Sequence, residues 1–134
     1  MKISVLGAGG WGTTLGILLH YNGHQVTLWE YKKNYVKELI KKRINSIYLP
    51  GIQIPQEISI THDLKESVYQ KNLIVLAVPS QFLRSVIDEV SYADIKNSIL
   101  VSVAKGIENK HLMTMSQMLK DVHPHLSDDQ IGVL

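Results

Sequence analysis

The most restrictive feature of this chain lies at its start. A short apolar run, Ile3 to Leu6, stops on Gly7-Ala8-Gly9-Gly10-Trp11-Gly12, and a helical pattern follows at once. That pattern runs from Trp11 to Tyr21, carries Leu15, Leu18 and Leu19, and ends on Asn22-Gly23. Three glycines at this spacing, between a strand and a helix, have separate uses. Gly7 permits a tight turn, Gly9 lets backbone approach a pyrophosphate, and Gly12 lets helix and strand pack closely. The free N–H groups at the helix start, aided by the helix dipole, suit phosphate oxygens. The turn therefore predicts a site for a dinucleotide.

The rest of the chain repeats the alternation. Strands are predicted at Gln25 to Glu30, Ile58 to Thr61, Leu73 to Val78, Ile99 to Val103 and Ile131 to Leu134. Helices are predicted at Lys32 to Arg43, Asp63 to Gln70, Pro79-Ser80 to about Val90, and His111 to Val122. Tyr35, Val36, Leu39 and Ile40 share one face of the second helix. Asp63 and Glu66 have the spacing of a capping box. The stretch Ile44 to Gln56 holds Pro50, Gly51 and Pro55 and reads as an irregular connection. Near-continuous apolar strands alternating with helices argue for a parallel sheet covered on both faces. Right-handed crossovers make it a doubly wound, three-layer α/β fold of the Rossmann type.

With 134 residues, 45% of them hydrophobic, the chain is read as one dinucleotide-binding domain, residues 1–134. A formal charge of +2 is too weak to argue for nucleic acid or an anionic membrane. No cysteine is present, which excludes disulfides and thiolate metal sites and fits a reducing cytoplasm. No segment nears the roughly 20 apolar residues of a membrane span, and a soluble cytoplasmic protein is expected. His123-Pro124-His125 with Asp128 and Asp129 lacks metal-ligand spacing, so no metal site is expected.

The end of the second strand, Trp29-Glu30-Tyr31-Lys32-Lys33, bears on the choice of cofactor. Glu30 can accept hydrogen bonds from an adenosine ribose, which favours NAD; Lys32 and Lys33 can neutralise a 2′-phosphate, which favours NADP. The two signals leave NAD(P)H undecided between its forms. Pro79 would fix the chain direction where it leaves the sheet beside the cofactor. Phe82 is expected in the core rather than against the nicotinamide ribose, and Trp29 in the core as well. Met113, Met115 and Met118 are read as helical core or interface filler. Lys105, in a Lys-Gly loop after a buried strand, can hold a substrate oxygen or phosphate.

Four segments together carry a family likeness. Gly7-Ala8-Gly9-Gly10-Trp11-Gly12-Thr13 resembles the N-terminal signature of the bacterial-type NAD(P)-dependent glycerol-3-phosphate dehydrogenases. Asn45-x-x-Tyr48-Leu49-Pro50-Gly51, Ala77-Val78-Pro79-Ser80-Gln81 and Val103-Ala104-Lys105-Gly106-Ile107-Glu108 follow in the family's order. The resemblance implies a reaction in which sn-glycerol 3-phosphate and NAD(P)+ interconvert with dihydroxyacetone phosphate and NAD(P)H, feeding glycerophospholipid synthesis. It implies cofactor contacts at Gly10, Trp11, Tyr31, Lys32 and Lys105, with Lys105 also touching substrate. The family usually has serine at the positions of Gly10 and Ala104, and often histidine or arginine at that of Tyr31.

The resemblance also implies a helical second domain that supplies the proton-accepting lysine and most of the substrate pocket. On that expectation no catalytic residue lies within 1–134 and this stretch alone is inactive. A homodimer is the separate expectation for the full-length protein. Two alternatives stay open at this point. One is a stand-alone NAD(P)-sensing regulatory module; the other is the cofactor domain of a 6-phosphogluconate or ketopantoate type dehydrogenase.

Overall fold

The computed structural model describes residues 1–134. Strand β1 (Lys2–Leu6) leads into helix α1 (Gly10–Tyr21), then β2 (Gln25–Trp29) and α2 (Lys33–Lys42). Two short strands follow, β3 (Ile44–Asn45) and β4 (Leu49–Gln53), then β5 (Ser59–Thr61), α3 (Leu64–Val68) and β6 (Leu73–Leu76). The chain ends through α4 (Ser80–Asp88), α5 (Tyr92–Ile95), β7 (Ile99–Ser102), α6 (Met115–Val122) and β8 (Ile131–Val133). No helix is long and apolar enough to cross a membrane.

Six strands form one sheet in the order β5-β2-β1-β6-β7-β8, and every neighbouring pair is parallel. The chain builds outward from β1 in one direction and then returns to build outward from β6 in the other. The point of reversal lies between β1 and β6, where open sheets of this kind place their ligand. Side chains alternate across the strands. Ile3, Val5, Val26, Leu28 and Val75 face one layer with Tyr35, Val36 and Leu39 of α2, and Leu15, Ile17 and Leu19 of α1 pack there too. Leu6, Trp29, Ile74, Leu76 and Leu100 face the other, with Val68 of α3, Leu83 and Ile87 of α4, Ile95 of α5 and Met115, Met118 and Leu119 of α6. Each large side chain so buried contributes about 1.5–3 kcal/mol. The doubly wound, three-layer expectation is met.

The residues that helix α1 buries, Gly12, Thr13 and Gly16, are small, and a Cβ at Gly16 would already touch Val26 of β2 at 3.7 Å. Several local expectations are corrected. Residues 44–53 are not irregular: β3 and β4 pair antiparallel in a hairpin, with Ile44 opposite Gln53 and Asn45 opposite Leu49. Arg43 tethers its base, donating from one guanidinium nitrogen to the Ile58 carbonyl at 2.8 Å. Ile40 is exposed although the other three apolar residues of its helix are buried. The last helix begins at Met115 rather than His111, because Thr114 and Gln117 close a capping box there. Met113 therefore lies before that helix, while Met115 and Met118 are buried. Helix α5, one turn capped by the Ser91 hydroxyl, has no counterpart in the expected elements.

Candidate functional site

Gly7 occupies the left-handed side of backbone space, with φ of 113°, and its N–H donates to the Trp29 carbonyl at 3.0 Å. A side chain there would meet the Ala77 carbonyl oxygen at 2.8 Å. The glycine turn and the segment that leaves β6 thus touch at the point of reversal. At Gly12 an added Cβ would stand 1.9 Å from the Gly7 carbonyl oxygen, so the helix can start only where no side chain exists. At Gly9 nothing lies within 4 Å of the same position. Gly9 caps α1 without any side-chain hydrogen bond, and the first intrahelical partnership on its carbonyl belongs to the Thr13 N–H, at 2.9 Å. The N–H groups of Gly10, Trp11 and Gly12 donate to no group in the chain. Three unpaired donors at the positive end of a 12-residue helix, beside open space, are the elements of an anion site.

Gly10 differs from the other glycines. Its missing side chain would meet the Tyr48 carbonyl oxygen at 2.7 Å. The turn of the β3–β4 hairpin therefore leans on the first residue of α1. In this chain that carbonyl fills the space a side chain at position 10 would need. Asn45, fully buried, makes the connection between the two segments. Its amide nitrogen donates to the Ala8 carbonyl at 2.7 Å and to the Thr13 hydroxyl at 2.8 Å. Its oxygen accepts from the Tyr35 hydroxyl at 2.5 Å and from the Tyr48 N–H at 3.1 Å. The Tyr35 and Tyr48 rings meet edge to face with centroids 6.2 Å apart.

At the carboxyl end of β2, Glu30 is buried, and one of its oxygens accepts the Lys32 N–H at 3.1 Å. The other oxygen has no partner in the chain. Tyr31 is exposed, and the Lys32 ammonium stands 5.3 Å above its ring. The contact with Tyr31, with smaller help from Tyr48 and Glu30, holds the Lys32 ammonium above the usual lysine range.

Pro79 caps α4 with extended backbone and is exposed. Phe82, expected in the core, is 64% exposed, a correction with a simple cause: Leu83 and Ile87 supply the inward face of α4, and Phe82 falls on its outer face. Trp29 is buried as expected and donates from its indole N–H to the His62 carbonyl at 3.1 Å. Lys105 is exposed in the loop after β7, one residue before Gly106, whose Cβ position lies 3.8 Å from the Ser80 hydroxyl. Helix α4 fixes that loop. Gln81 donates to the Ile107 carbonyl at 2.8 Å and accepts the Asn109 N–H at 3.1 Å. Arg84 grips the buried Glu108 carboxylate with two bonds, at 2.5 and 3.0 Å, and reaches Asp121 at 2.7 Å. Arg84 and His111 on either side hold the Glu108 carboxyl below the usual range, against the opposing effect of burial.

The turn, the hairpin, Pro79 and the Lys105 loop are thus assembled at one edge of the sheet, with Glu30 to Lys32 beyond β1 on β2. The bonds of Asn45, Gln81 and Arg84 were not assigned from sequence. Asn45 and Gln81 stood within recognised motifs, but nothing in those motifs says which backbone groups their amides meet. A recess of about 200 Å³ lies at the opposite edge, between Tyr69 to Lys71 and Ala93 to Ser98, and holds none of these groups.

Residues 2–134 match the family model described as NAD-dependent glycerol-3-phosphate dehydrogenase N-terminus. Among curated proteins, the chain is 47% identical over 131 residues to glycerol-3-phosphate dehydrogenase [NAD(P)+] of Thermoanaerobacter sp. (strain X514), covering 98% of this chain and 38% of that protein. It is 47% identical over 124 residues to the protein of that name from Syntrophotalea carbinolica, covering 92% and 37%. The crystal structure of glycerol-3-phosphate dehydrogenase from Coxiella burnetii superposes with a TM-score of 0.83 at 29% identity, over 90% of this chain and 37% of that one. The chain spans less than two fifths of the length of these relatives.

Proposed function

The chain belongs to the family of NAD-dependent glycerol-3-phosphate dehydrogenase N-termini, and from that premise we propose that it is the cofactor-holding domain of an oxidoreductase. The reaction is the interconversion of sn-glycerol 3-phosphate and NAD(P)+ with dihydroxyacetone phosphate and NAD(P)H. The observation that carries it is the trio of unpaired N–H groups at Gly10, Trp11 and Gly12 beside the open space at Gly9. The residues present fit a dinucleotide pyrophosphate: the donors and the α1 dipole meet its charge, and Gly7 and Gly12 close the turn beneath it.

Glu30 supports NADH over NADPH. Its carboxylate is held in place by the Lys32 N–H, and its free oxygen is an acceptor for ribose hydroxyls that would repel a 2′-phosphate. Tyr31 and the Lys32 ammonium flank the adenosine side. Pro79 directs the chain past the cofactor, and the exposed Phe82 ring lines the nicotinamide ribose side. The bound cofactor supplies or accepts the hydride. Lys105 holds the substrate's oxygen or phosphate and stabilises charge as alcohol becomes ketone. We assign the proton acceptor to a part of the full-length protein outside residues 1–134. The setting we assign is the cytoplasm, supplying glycerol 3-phosphate for glycerophospholipid synthesis, with the whole protein as a homodimer.

Fluorescence titration of the full-length protein with NADH and NADPH tests the cofactor assignment; no binding of either would refute it. Lys105→Ala should lower kcat or raise the KM for glycerol 3-phosphate at least about tenfold, a loss of about 1.4 kcal/mol in transition-state binding. The Kd for NADH should stay within about twofold. Unchanged kinetics would remove Lys105 from the site.

A further inference from the structure

Four of the six residues from Gly7 to Gly12 are glycine, so the turn that must aim three N–H groups is intrinsically the loosest backbone in the site. Something outside the turn has to hold it. Ala8 has no polar side chain, and Gly9 brings no capping group. The Trp29 carbonyl holds the turn at its first residue, Gly7; the side chain that reaches it farther on, beside the three N–H groups, is the Asn45 amide, on the Ala8 carbonyl and the neighbouring Thr13 hydroxyl.

The chemistry of that contact is fully determined. Ala8 offers a carbonyl, which only accepts, and Tyr48 offers an N–H, which only donates, so the amide has a single workable orientation. Burial pushes the Tyr35 phenol up, which keeps its O–H a donor to Asn45 across the neutral range. Both donors and both acceptor sites of the amide are then used, on three different segments: the glycine turn with α1, helix α2, and the hairpin. Aspartate would lose both donors and set a carboxylate against the Ala8 carbonyl. The hairpin needs the same anchor, because every residue of β4 except Leu49 is exposed. Held at its turn by Asn45, it presses the Tyr48 carbonyl against Gly10.

We propose that Asn45 is a positioning residue for dinucleotide binding, locking the glycine turn and the β3–β4 hairpin into one preorganised wall of the pyrophosphate site. The proposal rests on the cofactor assignment above, and its test separates the two. In the full-length protein, Kd values for NADH, ADP-ribose and adenosine are measured by calorimetry, directly or by competition, for the parent, Asn45→Ala, Asn45→Asp and the milder Tyr35→Phe. Both Asn45 variants should bind NADH and ADP-ribose at least about tenfold more weakly, while adenosine, which has no pyrophosphate, changes less than about twofold. Tyr35→Phe, which removes one of the four bonds and keeps the ring, should weaken NADH about threefold. Hydrogen exchange should quicken at residues 8–13 and 46–50 in the Asn45 variants and stay unchanged in β6 and β7. Parent-like NADH affinity in Asn45→Ala and Tyr35→Phe would overturn the proposal and leave the cofactor assignment standing. So would equal losses for adenosine and NADH, which mark general loss of fold. A parent protein that binds neither NADH nor ADP-ribose would overturn both.

Discussion

A methyl group on Gly12 would stand 1.9 Å from the Gly7 carbonyl oxygen, which is backbone and cannot swing aside. The same group on Gly9 would meet nothing within 4 Å, and the Gly9 backbone, with φ of −71° and ψ of −178°, accepts any residue. Two alanine variants should therefore part ways. Gly12→Ala should cost about 1–3 kcal/mol or more of stability through overpacking. Gly9→Ala should leave stability within about 0.5 kcal/mol, yet weaken NADH at least about tenfold by filling the approach to the pyrophosphate. Thermal melts and NADH titrations of both variants check this; a Gly9→Ala variant with parent affinity would contradict it. The glycine spacing was legible in the sequence because each position has a known geometric use. Gly10 was not, because its reason is the carbonyl of Tyr48, thirty-eight positions on, and no local pattern encodes that neighbour. Phe82 was misplaced for a related cause. An aromatic residue on a helix is usually buried, and only the position of α4 on the sheet decides which way it points.

Between elements, the loop after β7 depends on α4 through Arg84 and Glu108, whose side chains are 17% and 5% exposed. Removing the Glu108 carboxylate leaves the largely buried Arg84 guanidinium with only the half-exposed Asp121 as its counterpart. The folded-state pKa of Glu108 lies below the ordinary glutamate value of about 4.3, so its contribution is fully present above that value and is lost as pH falls through the lowered one. Glu108→Gln should lower Tm at pH 7 by at least about 3 °C. Because the variant has no carboxylate to protonate, the gap should narrow as the pH is brought below 4.3. Melting curves of both proteins between neutral pH and the acid limit measure this, and a constant gap would mean the ion pair is not the cause. The long elements were legible from their periodicity, and so were the strands, which carry near-continuous apolar runs. The hairpin was not: its strands are short, β4 buries little, and Pro50 and Gly51 signal irregularity. What organises it is a polar side chain, Asn45. The start of α6 is written in the sequence as Thr114-x-x-Gln117, although residues compatible with a helix continue back past it to His111.

At the scale of the molecule, the two apolar layers are halves of one structure because β1, β2 and β6 feed both. Within β1, Ile3 and Val5 point into the α1–α2 layer, and Leu6 points into the layer of α3 to α6. Every pair in the main sheet is parallel, so no strand can pair with its neighbour until a crossover has packed. Neither layer can form while the sheet between them is absent, and the expected unfolding is a single cooperative transition. Ile3 and Trp29 make the test possible, since they are buried on opposite faces. Trp29 reports the α3–α6 side by fluorescence, and Trp11, already 60% exposed, changes its surroundings little on unfolding. Ile3→Ala should cost about 2–5 kcal/mol by leaving a cavity on the α1–α2 side. It should shift the Trp29 fluorescence transition as far as the transition seen by far-ultraviolet circular dichroism, though Trp29 touches none of the cavity's layer. If the faces were independent, the Trp29 transition would stay where it is while the dichroism became biphasic. Coincident shifts would instead show that the sheet transmits a packing loss on one face to the other. The same sheet supports the glycine turn, where β1 ends against the carbonyl of Ala77.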